Sequence, residues 1–268
     1  MVVFKKKLKL FFFNIRSILR QYCRMEPRFK INSHFKLKKI GSDYGGWNYL
    51  ETNSLKNSTI ISAGVGEDIS FDIELLNLYN LKIILIDPTP RSFIHIDKVL
   101  KNIGKSKKQD YTNDGNQPID SYELKNIKKN QLIYLKFALW NKTEQIKFFK
   151  PQNKENVSHS VNNYFNNYST NDDFITVDAI RIVQVINKYN LKNIEMLKLD
   201  IEGAEIEVLD DMLKSNIYPK QILVEFDELS KPNPYGKKRV EYINLLLLKN
   251  NYSLINRDRN NFTYFRII

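Results

Sequence analysis

Two periodicities run along the chain. From Phe4 the apolar residues fall at Phe4, Leu8, Phe11, Ile15, Ile18 and Tyr22, three or four apart, with Lys and Arg largely between them. That is the stripe of an amphipathic helix whose other side is basic. Pro27 ends the segment, and a basic connector leads to Gly41-Ser42-Asp43-Tyr44-Gly45-Gly46-Trp47. Beyond it, short apolar runs alternate with longer amphipathic ones. Residues 58–63, 81–86, 131–140, 195–199 and 221–226 read as buried strands, and 144–149 as a further strand pairing with one of them. Residues 69–79, 92–102, 178–189, 204–214 and 236–250 read as helices. Segments 105–130 and 151–173 are polar and loop-like, and 252–256 with 262–267 form a terminal antiparallel pair. Strands separated by helices predict an α/β fold, a doubly wound sheet that is mostly parallel and carries a C-terminal antiparallel hairpin. No repeat of 20–50 residues occurs, which excludes solenoids and propellers.

Composition changes this picture little until the charge is located. The net charge is +12, and residues 1–39 hold twelve Lys and Arg against the single acid Glu26. The basic character therefore belongs to an N-terminal arm, residues 1–40, and the domain at 41–268 is nearly neutral. A nucleic-acid footprint would spread over the fold, so nucleic acid is not expected as a partner. The arm, over residues 1–26, suits peripheral contact with an anionic membrane surface, a partner protein, or its own domain. No stretch approaches the roughly 20 apolar residues of a membrane span, and the run from Leu8 to Phe13, broken by Lys9, is short for a signal peptide. One cysteine, Cys23, excludes an internal disulfide framework. The expected setting is cytoplasmic, at the membrane surface if the arm binds there.

In open α/β sheets ligands bind where strands end. After the first strand stands Gly64-Val65-Gly66-Glu67-Asp68, a turn in which glycine lets backbone come close to a ligand. The third glycine of a dinucleotide fingerprint is replaced by Ile69, and acids at the helix start repel a pyrophosphate while tolerating a cationic ligand. As ordinary helix-start acids, Glu67 and Asp68 would simply favour the helix dipole. Asp87-Pro88 closes the second strand about 20 residues later, the distance at which an acid accepts the hydroxyls of a ribose. After the fourth strand, Asp200 and Glu202 stand two residues apart before Gly203, a poor structural choice unless a ligand fills the crevice. Glu205 reads as a helix-start acid, and Glu225 and Asp227 add carboxylates to the same rim. The histidines are three: His34 in the connector, His95 on the helix after Asp87-Pro88, and His159 in a polar loop.

These residues resemble the FkbM-type methyltransferase family. Its distinctive motif stands here as Lys198-Leu199-Asp200-Ile201-Glu202-Gly203-Ala204-Glu205. The turn at 64–68, Asp87-Pro88, Phe137-Ala138-Leu139 and Thr176-Val177-Asp178 match in order and spacing, and coverage runs from about Gly41 to Glu228. A sub-branch also carries the Gly41 to Trp47 sequence. Asp87 replaces the more usual Glu. The resemblance implies a class I methyltransferase (Rossmann-like) fold, S-adenosylmethionine as cofactor, and methyl transfer to a hydroxyl of a sugar, glycan or other small molecule. It places Gly64, Val65, Gly66, Asp68, Asp87, Pro88, Ala138 and Asp200 at the cofactor. Glu202, Glu225, His159 and His95 are the candidates for acceptor-side acid–base chemistry. Nothing in the spacing of Asp200, Glu202 and Glu225 requires a metal, and none is expected. The rival readings are a non-catalytic adaptor tethered by its arm, a nicotinamide oxidoreductase and a nucleic-acid methyltransferase.

Overall fold

A computed structural model describes residues 25–149 and 174–267, together with Ile15 and Leu19. Ile15 and Leu19 are helical and exposed; the rest of the expected basic helix, and the loop with His159, lie outside the described residues.

Five parallel strands make the centre: β3 (Thr59–Ala63), β4 (Lys82–Ile86), β5 (Leu132–Leu135), β9 (Met196–Leu199) and β10 (Gln221–Glu225). β11 (Tyr252–Asp258) and β12 (Asn261–Arg266) complete a seven-stranded sheet in the order β11-β12-β10-β9-β3-β4-β5, with β12 antiparallel to both its neighbours. The sequence Ile60-Ile61 and Ile83-Ile84-Leu85-Ile86 explains the parallel core: these side chains are buried on both faces, as a sheet covered by helices on each side demands. The covering helices are α1 (Ser70–Tyr79), α2 (Pro90–Lys101), α3 (Ile182–Tyr189), α4 (Glu205–Lys214) and α5 (Pro234–Lys249). One core gathers Val208, Met212, Ile243 and Leu247 under the sheet, the other Phe71, Leu75, Ile96 and Val99 on the opposite face. The strand order reverses between β3 and β9, where Gly64 and Asp200 end their strands.

Three sequence expectations change. The strand at 144–149 pairs with residues 174–178 and with none of the strands read from the sequence. The strand expected at 131–140 divides into β5 and the two-residue β6 (Ala138–Leu139), which leaves the main sheet to join β8 (Phe174–Ile180). The helix expected from residue 178 starts at Ile182. Ile175, Thr176 and Val177 are β-branched and pair along β7 (Gln145–Phe149), and Asp178 takes a hydrogen bond from Gln145. The backbone N–H of Arg181 then donates to Gln184 Oε1, fixing the helix start.

A hairpin of β1 (Leu37–Ile40) and β2 (Trp47–Leu50) packs along the sheet beside β10 and β12, its turn carrying residues 41–46. Gln221 fastens it, accepting from the Leu50 N–H and donating to the Leu50 carbonyl. The root of the arm also docks. Glu26, 2% exposed, pairs with Arg257; Phe29 meets Phe262 edge-on at 5.4 Å, and Asn32 N–H donates to Leu254 O. No helix of the described residues is long and apolar enough to cross a membrane.

Candidate active site

A cleft of about 890 Å³ opens at the carboxyl ends of the central strands, within the size range of small-molecule sites. All eight residues expected at the cofactor line it: Gly64, Val65, Gly66, Asp68, Asp87, Pro88, Ala138 and Asp200. Glu202 and Glu225 line it too. His95 does not. That ring is buried beside Tyr122, whose hydroxyl accepts from the Ile69 N–H and lies 2.9 Å from His95 Nε2. Burial lowers its pKa to about 4, so the imidazole is neutral at physiological pH and serves the core beneath α2.

The glycine turn is built by its neighbours. Gly64 adopts φ +71°, and a Cβ there would meet the Asp200 carbonyl oxygen at 1.6 Å, so only glycine lets β3 and β9 end side by side. Gly66 also has positive φ, yet a Cβ there would project into open space. Asp87 then clasps the turn: Oδ2 accepts from the Val65 and Gly66 N–H groups at 3.0 Å each, and Oδ1 from the Thr89 N–H and hydroxyl at 2.8 and 2.7 Å. Four donors occupy its lone pairs. A ribose could bind this carboxylate only by exchanging with one of them, so Asp87 organises the turn first.

Asp68 has a comparable task. Its carboxylate accepts from Ser42 Oγ at 2.5 Å, from the Ser70 N–H at 2.9 Å and from Gln117 Nε2 at 3.1 Å. It thereby joins the β1–β2 turn and the excursion after α2 to the glycine turn. Tyr44 stands on that β1–β2 turn as a cleft wall, its ring close to Gly115, where a Cβ would meet it at 2.7 Å. Glu67 is held by Arg91 at 2.5 Å. Sequence reading gave no role to Lys198, although it stands within the quoted motif. This buried ammonium reaches the Gly64 carbonyl at 3.3 Å and sits 5.2 Å over the Trp47 ring.

The ends of β9 and β10 bring Asp200, Glu202, Glu225 and Asp227 to the same cleft, Asp200 directly against Gly64. Burial raises the pKa of Asp200, with the Asp87 charge adding and Lys198 opposing. Glu225 is pushed up to about 8, by burial first and then by Asp200 and Glu202, while Lys198 and Arg259 pull it back. Asp227 is raised by burial and by Glu202. Carboxylates that resist ionisation together need a positive partner, and a sulfonium with an adjacent ammonium supplies one; the residues present fit that cofactor. Glu205, read from sequence as a helix-start acid, instead buttresses the loop. Fully buried, it accepts from the Ile201 N–H at 2.8 Å and the Gly203 N–H at 3.0 Å. It shapes the bend that presents Glu202, whose own φ is +56°. The turn between β11 and β12 adds Asp258, Arg259, Asn260 and Asn261 to the cleft mouth. An ordinary hairpin turn gives no sequence signal for that placement.

A sequence model of the methyltransferase FkbM domain matches residues 38–254, from β1 into β11. No curated protein matches the chain. The match takes in the glycine turn, Asp87, Asp200 and the other carboxylates of the cleft. With that span covered, the chain belongs to the FkbM methyltransferase family and is a methyltransferase that uses S-adenosylmethionine.

Proposed function

We propose that the methyl acceptor is a hydroxyl of a sugar, glycan or related small molecule, that the turn side of the cleft (Gly64, Val65, Gly66, Asp68, Asp87, Pro88, Ala138, Asp200) receives the cofactor, and that Glu202 and Glu225 serve the acceptor. The observation that carries the reading is the group of four carboxylates, Asp200, Glu202, Glu225 and Asp227, lining the same cleft as the glycine turn. S-adenosylmethionine supplies, when bound, a methyl carbon on a cationic sulfur. Glu225 would take the proton of the acceptor hydroxyl, freeing its oxygen to receive the methyl group that the cofactor would supply. Glu202 holds the acceptor hydroxyl in line, since most of the acceleration in such a displacement comes from positioning. Phe148 and Leu139 add apolar surface to the cleft wall beside Ala138.

Calorimetric titration with S-adenosylhomocysteine, using NAD as control, tests the cofactor half. Micromolar binding of the former alone is expected, with Asp87→Ala weakening it at least tenfold through loss of the turn's organiser. Binding of neither compound by folded protein would favour the adaptor reading.

The arm is proposed to end before Glu26, because Glu26 and Phe29 are packed on the sheet edge. Its seven Lys and Arg within residues 1–24 suit an anionic lipid surface. Deleting residues 1–24 is expected to leave S-adenosylhomocysteine affinity unchanged and to reduce cosedimentation with phosphatidylserine vesicles several-fold. Equal cosedimentation of both forms would remove the membrane contact.

A further inference from the structure

A lysine buried within a parallel sheet is rare unless its charge is matched. Lys198 is such a residue, 4% exposed near the end of β9. Its register partners are Ser62 on β3 and Leu223 on β10. Side chains alternate along a strand, so Glu225 shares the face of Leu223 and stands one step nearer the cleft. Asp200 lies two residues beyond Lys198, past the end of β9. The lysine reaches in the same direction: its Nζ donates to the carbonyl of Gly64, which lies past the end of β3 and directly against Asp200. The ammonium also lies over the ring of the buried Trp47. Its charge is thereby fixed at the cleft, whose wall Lys198 joins.

Asp72 comes to the same place from α1. It lies beside Ser62, the register partner of Lys198, and is 1% exposed. Its Oδ1 has no hydrogen-bond partner among the described residues. A buried carboxylate short of donors depends on a cation. Burial raises the pKa of Asp72, Asp200 and Glu225, and at all three Lys198 opposes the rise. Most of the further charges in view are acids. Asp68 acts on Asp72, Asp87 on Asp200, and Glu202 on Glu225 and Asp227. Glu205 faces Asp200, Asp227 and Glu228, the last of these paired with Arg239. Tyr44, its pKa raised by burial and by Asp200, Glu202 and Glu225, stays neutral. Arg259 joins Lys198 at Glu225.

Resting on the cofactor and base assignments above, we propose that Lys198 is a positioning residue whose ammonium is the counter-charge shared by Asp200 and Glu225, with Asp72 competing for the same charge. The ammonium is divided three ways, and the division leaves Glu225 reluctant to ionise. A further positive charge in the cleft makes up the difference, so the base is readied when the cationic cofactor is in place. Lys198 and Asp72 set the balance from opposite sides. Without the lysine, Glu225 keeps its proton to higher pH. Without the aspartate, more of the ammonium's field falls on Glu225, which then gives up its proton before the cofactor enters.

The test is a carbon-13 NMR titration of the full chain, labelled at its Glu carboxyl carbons, with Glu225 assigned from Glu225→Gln and no ligand present. The wild-type Glu225 midpoint is expected at about 8. Lys198→Met should raise it by about one pH unit or more, and Asp72→Asn should lower it by about half a unit or more. A packing defect would admit water and draw both midpoints down toward the ordinary carboxylate value, so opposite shifts mark a shared charge. A midpoint that is unchanged or lowered in folded Lys198→Met overturns the proposal, as does one unchanged or raised in Asp72→Asn. If Lys198→Met does not fold, Lys198→Gln, which keeps a donor, replaces it under the same criterion. The functional companion is the affinity for S-adenosylmethionine relative to S-adenosylhomocysteine. Its rise with pH should move to higher pH in the Lys198 variant and to lower pH in Asp72→Asn. Failure of both compounds to bind would count against the cofactor reading alone, since the carboxyl titration needs no ligand.

Discussion

Replacing Gly64 by alanine is expected to destabilise the protein by about 3–5 kcal/mol, in the upper range for a single substitution. The added Cβ would lie 1.6 Å from the Asp200 carbonyl oxygen and 2.5 Å from its carbon, both of them backbone. Neither can swing aside as a side chain would. Relief requires β3 and β9 to part, and with them the Asp200 N–H bond to Ala63 O at 3.1 Å. Gly66→Ala is the comparison, because its Cβ meets nothing within 4 Å. There only the left-handed backbone is penalised, at about 1–2 kcal/mol. Urea midpoints of the two variants decide the matter. Midpoints falling together would show that strain in φ, and not the approach of two strands, is what selects glycine at position 64.

The second large effect concerns Glu225. In the general-base role proposed for it Glu225 must be ionised, and a pKa pushed up to about 8 would make kcat/KM climb with pH and level off above that value. Glu225→Gln is expected to lower kcat by about 10²–10⁴-fold, the usual share of a positioned base, and to flatten the profile. A variant with the wild-type profile would exclude the role. Stability should move the opposite way to activity. The folded pKa lies above the ordinary carboxylate value of 4.5, so the native state binds the proton more tightly than the unfolded chain does. Stability from this group is complete below that ordinary value and is lost as pH rises through about 8. Asp200 and Asp227, raised for the same reason, act in the same direction. A cationic cofactor favours the ionised cluster, so the affinity for S-adenosylmethionine relative to S-adenosylhomocysteine, whose sulfur is neutral, should improve between pH 6 and 9.

The alternation of apolar runs and amphipathic stretches made the sheet legible, because each parallel strand is buried on both faces and must be apolar throughout. The same physics hid β8. Its residues alternate between faces, lie beside a loop, and run into α3 without a glycine or proline to separate them. The residues that line the cleft at the ends of the central strands were readable since topology fixes where those strands end. Their individual tasks were not readable. Asp68 and Asp87 look in sequence like ligand acids, and the structure shows each holding backbone and loops together. Glu205 looks like a helix-start acid and is a buried brace for the Glu202 bend. Such assignments depend on where a carboxylate points, and that follows from contacts distant in the chain. His95 is the reverse case, a histidine one turn into the helix after Asp87-Pro88 whose ring is buried beside Tyr122.

β12, the last strand of the chain, lies between β10 and β11. The edge of β10 therefore stays bare until β12 is in place. Glu26 and Phe29, made first, wait as long for Arg257 and Phe262. A nascent or C-terminally clipped chain thus displays an open strand edge, the surface on which other strands add, together with a carboxylate lacking its arginine. Seating the β11–β12 hairpin covers the edge of β10 and brings Arg257 to Glu26 in one step.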